Sequence, residues 1–387
     1  MNRKFEDIQE QEDKYQLNTY AKLPIAIEHG EGVYVYGSDG RKYLDLYGGH
    51  AVALIGHCHP SVVGAVREQV GRLVFYSNVV YSSVRASVSE AIVEAAPEGI
   101  DRVYFCNSGA ESNETAMKIA RKFTGKSRVV AMQAGFHGRT TGALSATALG
   151  SYRSQFFPLL EGYDFAEFGS FEDIAAKIGD DTAAVILEPI QSMAGVEMAD
   201  DDYYRKLRGL CTERGVLLIF DEVQTGFGRT GSWFFGDAIG VVPDIITLAK
   251  GIGGGIPVGA VLIRDFVSET IKPGEHGSTF VGGPVASVAV EATIRAIRDE
   301  GLVENAREVG LHIAKGLAEL DSVVRVRGRG LLLGVELRDE AKKLRDYLLE
   351  RGIITGTSSN GNVLRLLAPI ILKKEEADIF IEALGAY

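Results

Sequence analysis

The sequence predicts an α/β protein in which a large, mostly parallel sheet carries helices on both faces and is joined to a smaller α+β domain. From about residue 100, continuous apolar runs alternate with helical stretches, which is the pattern of parallel strands buried on both sides. After Pro284 this alternation gives way to two long helical patterns and a group of strands. The length of 387 residues, with 46% apolar and 24% charged, suits a globular protein of two or three domains.

The N-terminal part is expected to form a polar arm and a hairpin. Residues 1–22 are polar and charged, which is typical of an arm or a short helix. Residues 33–36 and 41–46 have strand composition, and the small polar and glycine residues between them suit a tight turn. A helix is predicted to start near Pro60, because proline is favoured in the first helical turn.

The middle of the chain supplies the strands of the predicted sheet. They are expected at 102–106, 127–132, 182–187, 216–220 and in a last apolar run that ends in Lys250, with helices to residue 121 and over 202–214 between them. Ligands of such sheets bind beyond the carboxyl ends of the strands. Helices over 284–299 and 302–319, strands over 323–327 and 330–337, and two further helices follow. Arg325, Arg327 and Arg329 fall at alternate strand positions, and a solvated strand face explains this pattern more simply than an anion-binding patch.

These patterns divide the chain into three parts. Residues 1–55 form the arm and hairpin and belong to the small domain, 56–283 form the large domain, and 284–387 complete the small domain. The net charge of -11 argues against nucleic-acid binding. Three distant cysteines favour neither a disulfide framework nor a zinc site, and we expect no metal ion. The charged N-terminus and the lack of long apolar runs predict a cytoplasmic protein without a membrane span.

The segment Ile245–Pro257 is the strongest single sign of chemistry. An apolar strand runs directly into Lys250, and a glycine run follows it. A lysine that loses water at such a strand end has a lowered pKa and becomes a nucleophilic amine able to form a Schiff base. In isolation, a solvated strand end would explain the same pattern.

Other strand ends add polar groups at the same edge of the sheet. Asn107–Glu111 opens a helix, and the backbone N–H groups of Gly109 and Ala110 would suit a phosphate, although a capped helix without a ligand has the same sequence. Asp221 follows the strand 216–220 and offers a carboxylate, either for a cationic ligand nitrogen or for a structural partner. Phe136–Arg139 offers an aromatic ring beside a guanidinium.

Together these groups match the needs of pyridoxal phosphate, whose aldehyde, phosphate, pyridinium nitrogen and ring require an amine, an anion site, an acid and an aromatic face. The sequence resembles the class III aminotransferases of the pyridoxal-phosphate fold type I group, and within them the acetylornithine and succinylornithine aminotransferases. The matching segments are 107–113, 136–140, 188–191, 221–231, 248–251, 277–280 and 362–366.

The resemblance implies roles for individual residues. Lys250 would be the Schiff-base lysine, and Asp221 would pair with the ring nitrogen. The other implied cofactor contacts are Phe136 on the ring, Gln224 on its phenolic oxygen, Gly109 and Ala110 on the phosphate, and Thr279 on the phosphate of the neighbouring subunit. The implied substrate residues are Arg139, Arg365, Ser278 and Glu188. A homodimer with shared sites follows from the reach of Thr279.

The implied reaction transfers the terminal amine of an acylornithine, with acetyl expected as the acyl group, to 2-oxoglutarate in arginine biosynthesis. Arg139 would bind the α-carboxylate of the donor and then the distal carboxylate of 2-oxoglutarate, while Arg365 would take the α-carboxylate of the keto acid. Succinylornithine, free ornithine, 4-aminobutyrate and diamines remain alternative donors. A regulator that binds the cofactor without turnover is a further alternative from another class.

Two positions depart from the family pattern. Met193 stands where ornithine-type members commonly carry a glutamate that masks the second arginine, and a methionine cannot neutralise Arg365. His50 stands where ornithine aminotransferases place a tyrosine for the free amino-acid end. We therefore expect Arg365 to stay available to anions throughout the reaction, and unprotected ornithine to be disfavoured.

Overall fold

The computed structural model describes residues 4–387, so the expectation for an N-terminal arm lies outside the described residues at positions 1–3. The strands in chain order are β1 (Ile27–Glu31), β2 (Tyr34–Gly37), β3 (Lys42–Asp45), β4 (Arg102–Cys106), β5 (Arg128–Met132), β6 (Tyr163–Ala166), β7 (Thr182–Leu187), β8 (Ile190–Gln191), β9 (Glu197–Met198), β10 (Leu217–Asp221), β11 (Ile245–Leu248), β12 (Gly259–Ile263), β13 (Val323–Arg329), β14 (Leu332–Leu337), β15 (Ile353–Ile354), β16 (Gly356–Thr357) and β17 (Val363–Leu366).

The helices in chain order are α1 (Phe5–Tyr15), α2 (Gly48–Ala51), α3 (Pro60–Arg72), α4 (Ser83–Ala95), α5 (Gly109–Thr124), α6 (Thr141–Ala146), α7 (Gly150–Ser154), α8 (Phe171–Lys177), α9 (Ser192–Gly195), α10 (Asp201–Arg214), α11 (Phe235–Ile239), α12 (Asp265–Ser268), α13 (Pro284–Asp299), α14 (Leu302–Ala318), α15 (Ala341–Glu350) and α16 (Lys374–Gly385). A short 3-10 turn covers Lys250–Gly253. Within residues 4–387, every helix is too short or too polar to cross a bilayer.

The large sheet has seven strands in the order β4-β12-β11-β10-β7-β5-β6. Strand β10 runs parallel to β7 and β11, and β5 runs parallel to β6 and β7, so the predicted mostly parallel sheet is confirmed. Strand β12 was not predicted, and it runs antiparallel to β11 and β4. The connection from β11 to β12 is only a short turn and glycine run, which is too short for the helical crossover that a parallel strand requires.

Alternate residues of the central strands enter two different cores. Val130, Val185 and Leu218 belong to one buried cluster, whereas Val129, Ala184 and Ile219 belong to another. The first cluster includes Leu207 of α10 and the second includes Met117 of α5, so helices cover both faces. Burial on both faces explains why these strands are apolar at every position instead of alternating.

Two four-stranded sheets and the two-stranded pair β8-β9 complete the sheet structure of residues 4–387. One has the order β1-β2-β3-β15, and the other has the order β13-β14-β17-β16. The predicted hairpin forms between β2 and β3, and β15 from the C-terminal region pairs in parallel with β3. The three domain limits given above stay a prediction, although this pairing links the two chain ends as the small domain requires.

The arginines of β13 differ from expectation. Arg325 lies on a solvated face of the strand, as its alternate position predicts, and its side chain is well exposed. Arg327 does not lie on a solvated face, because its side chain is only 10% exposed. It forms ion pairs with Glu197 and with Glu336, the latter at 3.2 Å. The segment around β9 covers this part of β13, and that packing between distant segments is not visible in the strand pattern.

Candidate active site

A cavity of about 360 Å³ lies at the carboxyl ends of the central strands. The sequence-predicted residues that line it are Gly109, Ala110, Phe136, Glu188, Asp221, Gln224 and Lys250. The predicted residues that the structure does not place in its lining are Arg139, Arg365, Ser278 and Thr279. Most of the predicted cofactor residues are therefore brought together by one chain.

Lys250 opens the 3-10 turn that follows β11, so the strand ends two residues before the lysine. Its φ of 51° lies in the left-handed region, which non-glycine residues adopt mainly where the surroundings enforce it. An added Cβ at Gly251 would lie 2.6 Å from Leu54 Cβ, so the chain turns in a tight space where only glycine fits. The Lys250 side chain is thereby directed by backbone constraints on both sides.

The electrostatic surroundings of Lys250 favour a reactive amine. Burial lowers the pKa of Lys250 below its ordinary value, and the carboxyl groups of Asp221 and Glu188 oppose this shift. Burial disfavours the ammonium form because the charge loses its hydration. The nearby carboxyl groups of Asp221 and Glu188 partly offset the effect of burial, so the amine can still gain and lose a proton. This suits a group that acts both as a nucleophile and as a proton carrier.

Asp221 is the last residue of β10 and is only 4% exposed. Its Oδ2 accepts hydrogen bonds from Asn113 Nδ2 at 2.7 Å and from His137 Nδ1 at 2.8 Å. Within residues 4–387, its Oδ1 accepts only from the backbone N–H of Val223, at 3.2 Å. The carboxylate is thus fixed through one oxygen, and the other oxygen retains capacity to accept from a ligand.

Sequence reasoning missed the groups that hold Asp221. Thr247 Oγ1 donates to Asn113 Oδ1 at 2.7 Å, which orients the amide so that its nitrogen faces Asp221. Two signals could have found this network. Asn113 lies one helical turn beyond Gly109 on the same face of α5. Thr247 is the polar residue of β11 and pairs in register with Asp221.

The first turn of α5 provides bare backbone donors. Ser108 Oγ accepts from the N–H of Glu111 at 3.2 Å, and Glu111 Oε2 accepts from the N–H of Asn107 at 2.6 Å. The N–H groups of Gly109 and Ala110 have no acceptor within the helix, because the first turn always leaves such groups unpaired. An added Cβ at residue 109 would lie 3.1 Å from the Val223 methyl groups. The site therefore suits an anion that contacts backbone directly.

Glu188 lies at the end of β7 and is buried in the cavity wall. Its Oε1 accepts from the backbone N–H of Phe136 at 2.8 Å, which fixes the loop that carries the aromatic ring. Burial raises the pKa of Glu188 to about 7, and the nearby charge of Asp221 adds to the shift. The carboxyl group can therefore hold a proton near neutral pH.

A second group of residues surrounds Arg365 of β17, which is only 2% exposed. Its Nε donates to Thr357 O at 2.8 Å, its Nη1 donates to Ser192 Oγ and to Met193 Sδ, both at 3.2 Å, and its Nη2 donates to Tyr47 Oη at 3.1 Å. All of these acceptors are neutral. Within the described part of the chain, no carboxylate forms an ion pair with Arg365.

His50 extends this group towards the cavity. Its Nδ1 makes a short contact with Tyr47 Oη. Burial lowers the pKa of His50 to about 3, and the positive charges of Arg365, Lys250 and Arg139 add to the shift. His50 is therefore neutral and lies where three cations act together. We call Arg365, Tyr47, His50 and Met193 the arginine cluster.

The remaining predicted residues are more exposed. The guanidinium of Arg139 lies 4.4 Å from the centre of the Tyr152 ring, and Phe136 contacts the same ring edge-on at 5.7 Å. Ser278 and Thr279 are exposed on their own chain. Their predicted role in the site of a neighbouring subunit stays a prediction.

The cavity fits pyridoxal phosphate. Gln224 Oε1 is buried without a hydrogen-bond partner among the described residues, although the residue lines the cavity, so its side-chain amide is available to a polar group of a ligand. The lysine, the half-satisfied carboxylate and the bare helix turn supply the other groups that this cofactor requires. A dehydrated amine and a fixed acid at one edge of a parallel sheet suit an enzyme that depends on this cofactor.

Comparison with known proteins agrees with that class. The aminotransferase class-III family pattern matches residues 15–387, and this chain belongs to that family of pyridoxal-phosphate-dependent aminotransferases. An acetylornithine aminotransferase of Methanopyrus kandleri is 46% identical over 374 residues, which are 96% of each chain. An ornithine aminotransferase 1 of Staphylococcus aureus is 40% identical over 382 residues, again 96% of each chain.

Solved structures show the same fold. The ornithine aminotransferase of Toxoplasma gondii superposes with a TM-score of 0.94 at 30% identity, covering 99% of this chain and 94% of the other. The acetylornithine aminotransferase of Elizabethkingia anophelis gives 0.87 at 30% identity, covering 99% and 98%. The predicted family, fold, enzyme class and cofactor are confirmed.

Proposed function

We propose that this enzyme transfers the terminal amino group of an acylornithine, with N-acetylornithine as the leading donor, to 2-oxoglutarate in arginine biosynthesis. The observation that carries the proposal is the buried Arg365, whose acceptors within the described residues are all neutral. A buried guanidinium in that state is suited to a substrate carboxylate, which it can bind through two parallel hydrogen bonds. The names of the archaeal relatives support the choice of donor.

The cofactor roles follow from the geometry of the cavity. Pyridoxal phosphate, when bound, supplies an aldehyde for the amine and an electron-accepting ring. Lys250 would provide the amine that holds the cofactor and, once released, the base that moves a proton at the substrate carbon. Asp221, oriented by Asn113 and His137, would keep the ring nitrogen protonated. Gln224 would contact the phenolic oxygen.

The other cofactor contacts rest on backbone and ring surfaces. The free N–H groups of Gly109 and Ala110 would hold the phosphate at the positive end of α5. Phe136 would cover one face of the ring, and its loop is fixed by the bond to Glu188. Glu188 lines the same cavity and would contact the substrate there.

Two arginines would handle the carboxylates of both substrates. Arg139 would bind the α-carboxylate of the acylornithine and later the distal carboxylate of 2-oxoglutarate. Arg365 would bind the α-carboxylate of the keto acid. The Arg139 side chain is exposed and lies over the Tyr152 ring at 4.4 Å, and no carboxylate of the described residues forms an ion pair with it.

We also propose a homodimer in the cytoplasm, in which Ser278 and Thr279 reach the partner's site. Exposed apolar side chains accompany that segment, among them Val74, Val79 and Phe280. Large exposed apolar surfaces mark protein interfaces. Light scattering coupled to gel filtration is expected to give twice the mass of one chain, and a monomer with full activity would contradict shared sites.

Free ornithine is the second candidate donor, because a relative at 40% identity carries the name ornithine aminotransferase 1. Succinylornithine and 4-aminobutyrate remain further alternatives. Half-reaction spectroscopy of the holoenzyme with acetylornithine, succinylornithine, ornithine and 4-aminobutyrate separates them. Acetylornithine is expected to give the highest second-order rate constant for the half-reaction. If another amine gives a higher constant, that amine is the better candidate for the substrate.

A further inference from the structure

The arginine cluster contains a hydroxyl that competes with any substrate for Arg365. Tyr47 Oη accepts from Arg365 Nη2 at 3.1 Å and also contacts His50 Nδ1. A guanidinium can only donate, so the proton of the Tyr47 hydroxyl is free to serve the neutral imidazole of His50. The phenolic oxygen is thus held from both sides in the position where a substrate oxygen could bind.

The backbone fixes Tyr47 in this position. Asp45 Oδ1 accepts from the N–H groups of Tyr47 and Gly48, each at 2.9 Å, and Asp45 Oδ2 pairs with His57 Nε2 at 2.8 Å. The next residues have left-handed φ values, 68° at His50, which turns its imidazole back onto the tyrosine. The backbone around Tyr47 is therefore fixed by the fold, whereas its hydroxyl can still move with the side-chain rotamer.

The ring of Tyr47 also requires a glycine beneath it. An added Cβ at Gly356 would lie 2.1 Å from Tyr47 Cε2, and Gly356 pairs in register with Arg365 between β16 and β17. The ring thus packs on the strand beside the arginine. Any larger residue at position 356 would push the hydroxyl away from the guanidinium.

We propose that Tyr47, supported by His50, is a specificity-determining residue that covers Arg365 as a neutral and displaceable acceptor. While the amine donor is bound, the Tyr47 oxygen satisfies Nη2 of the buried guanidinium. When the keto acid enters, its α-carboxylate replaces that oxygen. A neutral cover is exchanged at lower cost than an ion pair, so Arg365 serves both halves of the reaction without an acid partner.

The inference rests on the proposed function, because it assumes that a dicarboxylate binds at Arg365. It predicts an unusual direction of change for a binding-site substitution. Tyr47→Phe removes an interaction that exists only before the carboxylate binds, and it leaves a buried N–H without an acceptor in that state. Carboxylate binding is therefore expected to become roughly tenfold tighter. A tyrosine that donated to the bound carboxylate would give the opposite sign.

The test titrates the holoenzyme with glutarate, a dicarboxylate that has no keto group to react. For Tyr47→Phe we expect a Kd for glutarate and a KM for 2-oxoglutarate that are each roughly tenfold lower, with kcat/KM for acetylornithine changed by less than about threefold. Tyr36→Phe is the matched control, since it removes a phenolic oxygen from strand β2, where the Tyr36 ring stacks on His29. It is expected to change none of these values.

A second variant guards against a folding defect. His50→Asn keeps a residue type that tolerates the left-handed backbone but removes the imidazole nitrogen that contacts Tyr47. It is expected to lower the Kd for glutarate by a smaller factor than Tyr47→Phe does. The double variant is expected to have the same Kd as Tyr47→Phe alone, because His50 acts through Tyr47. Unchanged or weaker glutarate binding in Tyr47→Phe overturns the inference while leaving the proposed function intact. A wild-type enzyme that binds no glutarate and uses no 2-oxoglutarate overturns both.

Discussion

The surroundings of Lys250 and of Arg365 differ in how the buried positive charge is balanced. Around Lys250, opposite charges are present together, since Asp221 and Glu188 both act on the amine. Around Arg365, the described residues provide only neutral acceptors for a cation that is almost fully buried. A balanced set of charges suits a group that stays bound, whereas an unbalanced cation suits an anion that enters and leaves at every turnover. The difference separates the region that we propose for the cofactor from the region that we propose for substrate carboxylates.

Removal of the Lys250 amine should have the largest effect on activity. Lys250→Ala is expected to lower kcat by a factor on the order of 10⁴ or more, since it removes both the attachment point and the group that moves the proton. Borohydride treatment of the wild-type holoenzyme should add mass to residue 250, as read by peptide mass spectrometry. Lys206→Ala, at an exposed position of α10, is the control and should keep full activity. Added mass on another lysine would contradict the assignment.

Neutralising the acid tests whether the balance of charge matters. Asp221→Asn keeps the shape of the side chain but removes its charge, and we expect kcat to fall by roughly 10²- to 10³-fold. Glu222→Gln is the control. Burial raises the pKa of that neighbouring carboxyl to about 8, so it is already largely neutral at neutral pH, and its bonds go to Phe235 and Thr225. Steady-state rates of equal size in the two variants would show that Asp221 has no special role.

The substrate side should respond through affinity. Arg365→Gln removes the cation, and we expect KM for 2-oxoglutarate to rise by roughly 10- to 100-fold, the range of a charge-assisted hydrogen bond. The first half-reaction with acetylornithine should change far less. Arg325→Gln removes an exposed arginine of the same sheet and serves as the control. An equal loss in both half-reactions would mean that Arg365 supports the fold and does not select the acceptor.

The smallest effect should come from an added charge. Met193→Glu places a carboxylate beside Arg365, so that this cation is balanced by an acid as Lys250 is. Glutamate as donor is expected to weaken relative to acetylornithine by several-fold, because its carboxylate must then displace an ion pair. Met193→Gln has the same length without the charge and should leave the ratio close to that of the wild type. An unchanged ratio of specificity constants in Met193→Glu would count against the neutral cover.

Much of the fold could be read from local patterns. The strand 182–187 and the helices 202–214 and 284–299 were predicted nearly at their observed limits, because long apolar periods are set by residues close together in the chain. Strand β12 was missed because it follows a glycine run and has no helix before it. The solvated face predicted for β13 was wrong at Arg327, because the segment around β9 covers it.

The candidate site shows the same division. The sequence by itself determined which polar groups stand at strand ends, and the parallel order of the strands then brings Lys250, Asp221 and Gly109 to one edge of the sheet. Only the tertiary structure decided that Asn113 orients Asp221 and that Tyr47 meets Arg365. Those partners are 108 and 318 residues apart, and no local periodicity links them. Strand ends are fixed by neighbouring residues, whereas the partner of a buried charge depends on how distant segments pack.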